Sequence, residues 1–253
     1  MNFGPEGFVT FPAEPSMLLW AQAARRKGIA AATHPIGQKW WRHQQTWFVG
    51  VDALDNGADG AVSGVPLAGA APMATGCTNW HAAQVSIIRP GYPRQDDNER
   101  DAAFAFRRDR DAAHLDGLLP VGPKRRRKML EPHAFILGIA LNTASAGASP
   151  LVVYVGSHRI MAQAFARAFA GLCDDQAADR DMTHAYGDAR REVFATCPRV
   201  PVPLAVGEAV LLHPMMIHGI APWAKGAKSD PEGRMIAYFR PPTSLSEWRT
   251  SPV

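Results

Sequence analysis

The 253-residue sequence predicts an α+β fold with a mainly β core, built as one domain over residues 1–253. Three observations lead there. Helical spacing of apolar residues marks the N-terminal part, to about residue 45, and short runs rich in β-branched and aromatic residues follow in quick order over about 46–245. The 22 Gly and 21 Pro exceed the usual share and favour a turn-rich, strand-heavy architecture over a helical bundle. No internal repeat or extended linker divides the chain.

Taken in order, "PSMLLWAQAARRK" (15–27) places Met17, Leu18, Ala21 and Ala24 on one helical face, with Gly28 as the expected stop. "TWFVGV" (46–51) reads as a strand. The Gly/Ala-rich stretch 53–76 offers few large apolar residues, so a mobile lid or partly disordered loop is expected. "QVSIIRPGYP" (84–93) is a strand stopped by Pro90-Gly91, and the charge-laced segment 94–111 reads as a solvated loop feeding a strand. Further strands are expected at His133–Leu141, Leu151–Val155, Glu208–His213 and Arg234–Arg240, with one helix at Arg159–Leu172.

Composition excludes several classes. Hydrophobic residues at 47% and charged residues at 20% describe an ordinary globular chain, not a disordered one. The start lacks a secretory pattern and no run of about twenty apolar residues occurs, so a cytoplasmic protein without a membrane span is expected. Cys77, Cys173 and Cys197 are odd in number and widely spaced, which suggests neither disulfides nor a thiolate zinc site. The net charge of +4 owes much to "KRRRK" at 124–128. Without a zinc-finger spacing or an RNP-like motif, that run argues against nucleic acid; it reads as a solvated loop or as a contact for an anionic substrate.

Chemistry is suggested first by "HLD" at 114–116. A His-x-acid triplet is expected about once by chance in such a chain, so the triplet alone decides nothing. On a strand, however, residues two apart share a side, and His114 and Asp116 would offer two metal ligands from one short segment. His218, in "GEAVLLHPMMIHG", supplies a second imidazole from a distant strand, completing a two-His-one-carboxylate set of the kind that suits non-haem iron(II). Arg234 opens a strand whose alternation puts Arg234, Ile236, Tyr238 and Arg240 on one face, and a guanidinium fork there suits a dicarboxylate.

With "HLD", "YVGSH" (154–158), "GEAVLLHPMMIHG" (207–219) and "RMIAYFRP" (234–241), the chain resembles the phytanoyl-CoA dioxygenase-like iron(II)/2-oxoglutarate-dependent oxygenases from about Gln84 to Pro242. The resemblance implies a double-stranded β-helix, a jelly-roll barrel with helices packed on one side. It implies His114, Asp116 and His218 as ligands of iron(II), and Arg234 as the anchor of the far carboxylate of 2-oxoglutarate, with Arg240 as the fallback. The segment between His218 and Arg234 is several residues longer than the family usually has, and Val155 replaces the usual proline of the Pro-Gly-Ser-His turn. Implied cofactors are Fe(II), 2-oxoglutarate as cosubstrate and O2. The implied reaction hydroxylates a small organic molecule, with an anionic compound or a CoA thioester among the candidates, while 2-oxoglutarate is converted to succinate and CO2. Asp116 at the ligand position argues against a halogenase. The competing expectation is a non-catalytic metal-containing jelly-roll binding protein.

Other polar and aromatic residues have plainer readings. His213 is expected to be structural, Ser157 and His158 to cap the helix near Arg159, and Trp40, Trp41 and Trp47 to be core rather than pocket. Tyr238 reads equally as a carboxylate contact or as a core tyrosine.

Overall fold

Strands covered on both faces read as continuous apolar runs rather than alternating ones, and several runs here are of that kind. The computed structural model describes residues 1–252. Its first half contains β1 (Phe8–Phe11), α1 (Pro15–Thr33), a 3-10 turn (Pro35–Trp40), β2 (Trp41–Arg42), β3 (Trp47–Gly50), α2 (Ala70–Thr75), β4 (Gln84–Ile88) and α3 (Asp101–Asp109). There follow β5 (Leu118–Val121), β6 (Arg126–Met129), β7 (Ile136–Ala140), β8 (Leu151–Tyr154), α4 (Ser157–Ala168), α5 (Asp174–Asp179) and α6 (Thr183–Thr196). The chain closes with β9 (Arg199–Val202), β10 (Ala209–Leu212), β11 (His218–Ile220), β12 (Arg234–Phe239) and α7 (Leu245–Arg249).

Two antiparallel sheets form the jelly roll. The larger has the order β1-β10-β7-β12-β4-β3-β2 and the smaller β11-β8-β9, while β5 and β6 form a separate hairpin. Parity along the strands sorts their side chains. Ile136, Val210, Ile236 and Tyr238 of the large sheet meet Leu151, Val153 and Val202 of the small one in the interior. The alternate residues Leu137, Ile139, Leu211, Met235, Ala237 and Phe239 face outward onto Met17, Trp20, Ala21 and Ala24 of α1. Val152 and Tyr154 of the small sheet face Met161 and Phe165 of α4, Tyr186 and Val193 of α6 and Trp248 of α7.

Helices therefore cover both outer faces, not one side as expected. The apolar side of each sheet that does not enter the interior needs its own cover. Gly28 does not stop α1, which runs on to Thr33. A Cβ at Gly28 would press on Met235 and Val85, so this glycine lets the helix lie close on the sheet. The stretch 53–76 is not a loose lid: Leu54 and Val62 are fully buried, α2 lies within it, and the Trp20 indole donates to the Gly60 carbonyl at 2.8 Å.

Two further expectations are corrected. The charged segment 94–111 contains helix α3 over Asp101–Asp109, whose buried residue is Arg107, ion-paired to Glu99. A helix that buries a guanidinium shows no apolar stripe to read. Likewise Ser157 does not cap α4; its hydroxyl accepts from the Ile217 N–H at 2.9 Å. No described helix is long and apolar enough to cross a membrane.

Candidate metal centre

His114 lies just before β5 and faces His218 across an antiparallel bridge, the His114 N–H donating to the His218 carbonyl at 2.9 Å and the reverse bond measuring 3.2 Å. The two imidazoles are thus placed by one pair of backbone hydrogen bonds. Gly219 makes the approach feasible, because a Cβ there would collide with the Asp111 carbonyl. Asp116 follows two residues after His114 at the turn into β5. On the other side, the Ser157 hydroxyl holds the Ile217 amide, one residue before His218.

The ligand atoms of His114, Asp116 and His218 all lie within 4.8 Å of one another. His114 Nε2 is 2.9 Å from Asp116 Oδ1, and His218 Nε2 is 3.6 Å from Oδ2. Each ring has its Nδ1 beside the backbone carbonyl two residues earlier, at 2.9 Å from Ala112 and 3.0 Å from Met216. With Nδ1–H donated to a carbonyl, the neutral ring has its lone pair on Nε2, which is how metal-binding imidazoles are oriented by their surroundings.

Burial alone would raise the Asp116 carboxyl, but Arg240, His218 and His114 outweigh it and hold it well below the ordinary carboxylate range. Burial lowers His218 to about 4 despite Asp116. Burial also acts to lower His114, but its hydrogen bond to Asp116 prevails and raises it. An anionic carboxylate with two convergent imidazoles is the donor chemistry that fits iron(II), leaving other coordination positions for exogenous ligands. All three residues open onto a cavity of about 920 Å³.

Arg234 and Arg240 lie at opposite ends of β12 and occupy different environments. Arg234 is buried, and its Nη1 has no hydrogen-bond partner among the described residues. The backbone around it is pinned by Asn142, which donates to the Gly233 carbonyl at 2.6 Å and accepts from the Met235 N–H at 2.9 Å. Tyr92 is a wall residue of the cavity, and its hydroxyl is also buried without a partner. Burial raises that phenol, and the Arg234 charge acts in the opposite sense. Unpaired buried donors are costly unless a ligand completes them. Arg240 instead donates through Nε to Asp116 Oδ2 at 2.5 Å and through Nη1 to Gln84 at 3.0 Å.

Among the remaining candidates, His213 sits away from the centre, its Nδ1 accepting from the Met215 N–H and its Nε2 lying 3.0 Å from the Pro252 carbonyl. Trp40 and Trp41 pack on the core, but Trp47 lines the cavity and donates to Ser86 at 3.0 Å. Tyr238 lines it too. The basic run splits: Arg126 pairs with Asp181 and Lys128 with Asp179, while Arg127 alone turns to the cavity. Sequence reasoning missed Tyr92, Phe106, Tyr186 and Arg190 as cavity residues. The last three lie on α3 and α6, helices that the reading did not identify.

The family model for "Phytanoyl-CoA dioxygenase (PhyH)" matches residues 73–222. A search of curated proteins found no match. Among solved structures, EvdMO1 aligns at 17% identity and TM-score 0.50, covering 95% of this chain and 49% of its own. AviO1 from Streptomyces viridochromogenes Tue57 aligns at 19% identity and TM-score 0.48, covering 96% and 93%. EctD from S. alaskensis, with 2-oxoglutarate and 5-hydroxyectoine, aligns at 16% identity and TM-score 0.45, covering 94% and 72%.

Proposed function

The chain belongs to the phytanoyl-CoA dioxygenase family, and from that premise we propose that it hydroxylates a small organic substrate bearing an anionic group. It is an oxidoreductase of the iron(II)- and 2-oxoglutarate-dependent class, with O2 as the oxidant. The finer assignments are that His114, Asp116 and His218 hold the metal and that Arg234 takes the far carboxylate of 2-oxoglutarate.

The observation that carries the reading is the convergence of two oriented Nε2 atoms and one carboxylate on a single cavity. When bound, iron(II) with 2-oxoglutarate supplies a strong oxidant through oxidative decarboxylation to succinate and CO2. The chain's own residues do the rest. Three ligands on one face leave the opposite positions open. Arg234, whose Nη1 is buried without a partner, matches a carboxylate in charge and geometry. Trp47, Tyr92, Phe106 and Tyr186 give the cavity an aromatic wall that excludes water from the reacting C–H bond.

Arg127 and Arg190 support an anionic substrate. Both line the cavity, and among the described residues neither has a carboxylate within ion-pair distance. The Arg190 guanidinium lies over the rings of Phe106, at 4.9 Å, and Tyr186, at 5.3 Å, which orient it without neutralising it. A carboxylate or a phosphate, including those of a CoA thioester, would complete both.

Anaerobic titration of the apoprotein with iron(II) and 2-oxoglutarate tests the centre. The weak visible charge-transfer band of a chelated 2-oxo acid is expected in the wild type and absent in His114→Ala. Bound iron with no band would favour the non-catalytic binding protein instead. Succinate release against a panel of anionic compounds and their neutral isosteres then tests the substrate class.

A further inference from the structure

A carboxylate ligand can bind a metal through one oxygen or both, and the difference decides how many coordination positions remain. We propose that Arg240 is a positioning residue that holds Asp116 as a one-oxygen donor, offsets part of its charge and so favours an incoming chelating 2-oxo acid. The inference rests on the metal centre proposed above.

The geometry is specific. Arg240 Nε lies 2.5 Å from Asp116 Oδ2, while the other oxygen, Oδ1, is the one 2.9 Å from His114 Nε2; Oδ2 is 3.6 Å from His218 Nε2. Among the described residues, Arg240 and His114 are the only side chains within hydrogen-bond distance of the Asp116 carboxylate, His218 Nε2 lying beyond it at 3.6 Å. Arg240 is itself held at three points, two on the guanidinium and one on the backbone. Its Nη1 donates to Gln84 Oε1 at 3.0 Å, its Cζ lies 5.2 Å from the Tyr238 ring centre, and its backbone N–H donates to His81 Nε2 at 3.2 Å. Asp116 and Arg240 are both largely shielded, with side-chain exposures of 13% and 25%, so the bond is not a solvent-screened surface pair.

Two consequences separate this role from that of a 2-oxoglutarate anchor. A cation beside the site opposes a divalent metal, so its removal leaves iron binding as tight as before or tighter. Its removal also frees Oδ2 to compete for the metal and leaves the carboxylate charge without its partner, and both oppose an incoming anionic 2-oxo acid. The loss should therefore fall on any 2-oxo acid, whether or not it carries a far carboxylate. An anchor of the far carboxylate would affect only 2-oxoglutarate.

The experiment measures iron(II) affinity by chelator competition, then titrates the charge-transfer band anaerobically with 2-oxoglutarate and, separately, with pyruvate. Arg240→Met is expected to retain iron and to weaken both 2-oxo acids by about 10- to 100-fold, the range of other outer-shell partners. Arg240→Lys, which keeps a donor and a charge, should recover part of the pyruvate band. Arg234→Met should weaken 2-oxoglutarate and leave pyruvate unchanged. If Arg240→Met affects 2-oxoglutarate alone, changes neither acid, or loses iron itself, the positioning role is overturned. A wild-type protein that binds no iron would overturn the metal centre as well, and that would be seen before any variant is made.

Discussion

The two imidazoles of the candidate centre are set by the same local device, a ring Nδ1 lying beside the carbonyl two residues back, at Ala112 for His114 and at Met216 for His218. Nothing but backbone is required, which is why the pattern His-x-Asp and a distant His could be recognised from sequence while their tautomers could not. Asp116→Ala removes the one anionic ligand and should abolish iron(II) binding in a calorimetric titration, with the far-ultraviolet circular dichroism of the barrel unchanged. Arg234 has a different task. Arg234→Met should raise the KM for 2-oxoglutarate about 10- to 100-fold, since a hydrogen-bonded charge contributes roughly 1.5–3 kcal/mol, and should leave kcat nearly unchanged. The choice between Arg234 and Arg240 was not legible in the sequence. Both stand on one face of one strand, and only the unfilled donor on Arg234 and the Asp116 bond of Arg240 separate them.

At the scale of elements, the strands around the centre were readable because burial on both faces leaves an apolar run that needs no partner to be recognised. The elements that shape the substrate end were not. In α3 the buried position is Arg107, and α6 buries Tyr186, Ala189 and Val193 among charged neighbours. Their apolar signal is thin, yet they contribute Phe106, Tyr186 and Arg190 to the cavity wall. The β5–β6 hairpin makes the same point within five residues. Neutralising Arg126 and Lys128 together should change thermal stability little, because exposed pairs contribute under about 1 kcal/mol each. Arg127→Gln, by contrast, should raise the KM of an anionic substrate about tenfold and not that of its neutral isostere, as read from succinate release. The α1 helix has no part in the chemistry: Trp20→Ala should cost about 3–5 kcal/mol in urea unfolding and leave the iron affinity of the folded protein unaltered.

For the molecule as a whole, pH dependence of stability is expected from a histidine pair remote from the centre. His158 and His213 are buried with ring centres 5.0 Å apart, and burial, more than any neighbouring charge, lowers each to about 4. Above the unfolded value of about 6.5 both states are neutral and the pair imposes no cost. As pH falls below that value the unfolded chain takes up protons first, so stability declines between about 6.5 and 4, and the loss levels off once the folded pair protonates. Urea denaturation across this range should show the decline, and His158→Asn should flatten its slope. A slope that the variant leaves unchanged would assign the decline to other groups.

The sequence by itself determined the β-rich core, the six strands β3, β4, β7, β8, β10 and β12, and the candidate ligands His114, Asp116 and His218. Each of these depends on residue type and short-range parity, which survive without knowledge of neighbours. Tertiary structure decided what depends on contacts between distant segments: that Gly28 seats a helix rather than ending it, that 53–76 is core and not a lid, and that Arg127 alone of its run enters the cavity. It also decided that Arg240 reaches Asp116. Those outcomes turn on which surfaces meet and which charges find partners, and a guanidinium looks the same in sequence whether it is solvated, paired or waiting for a ligand.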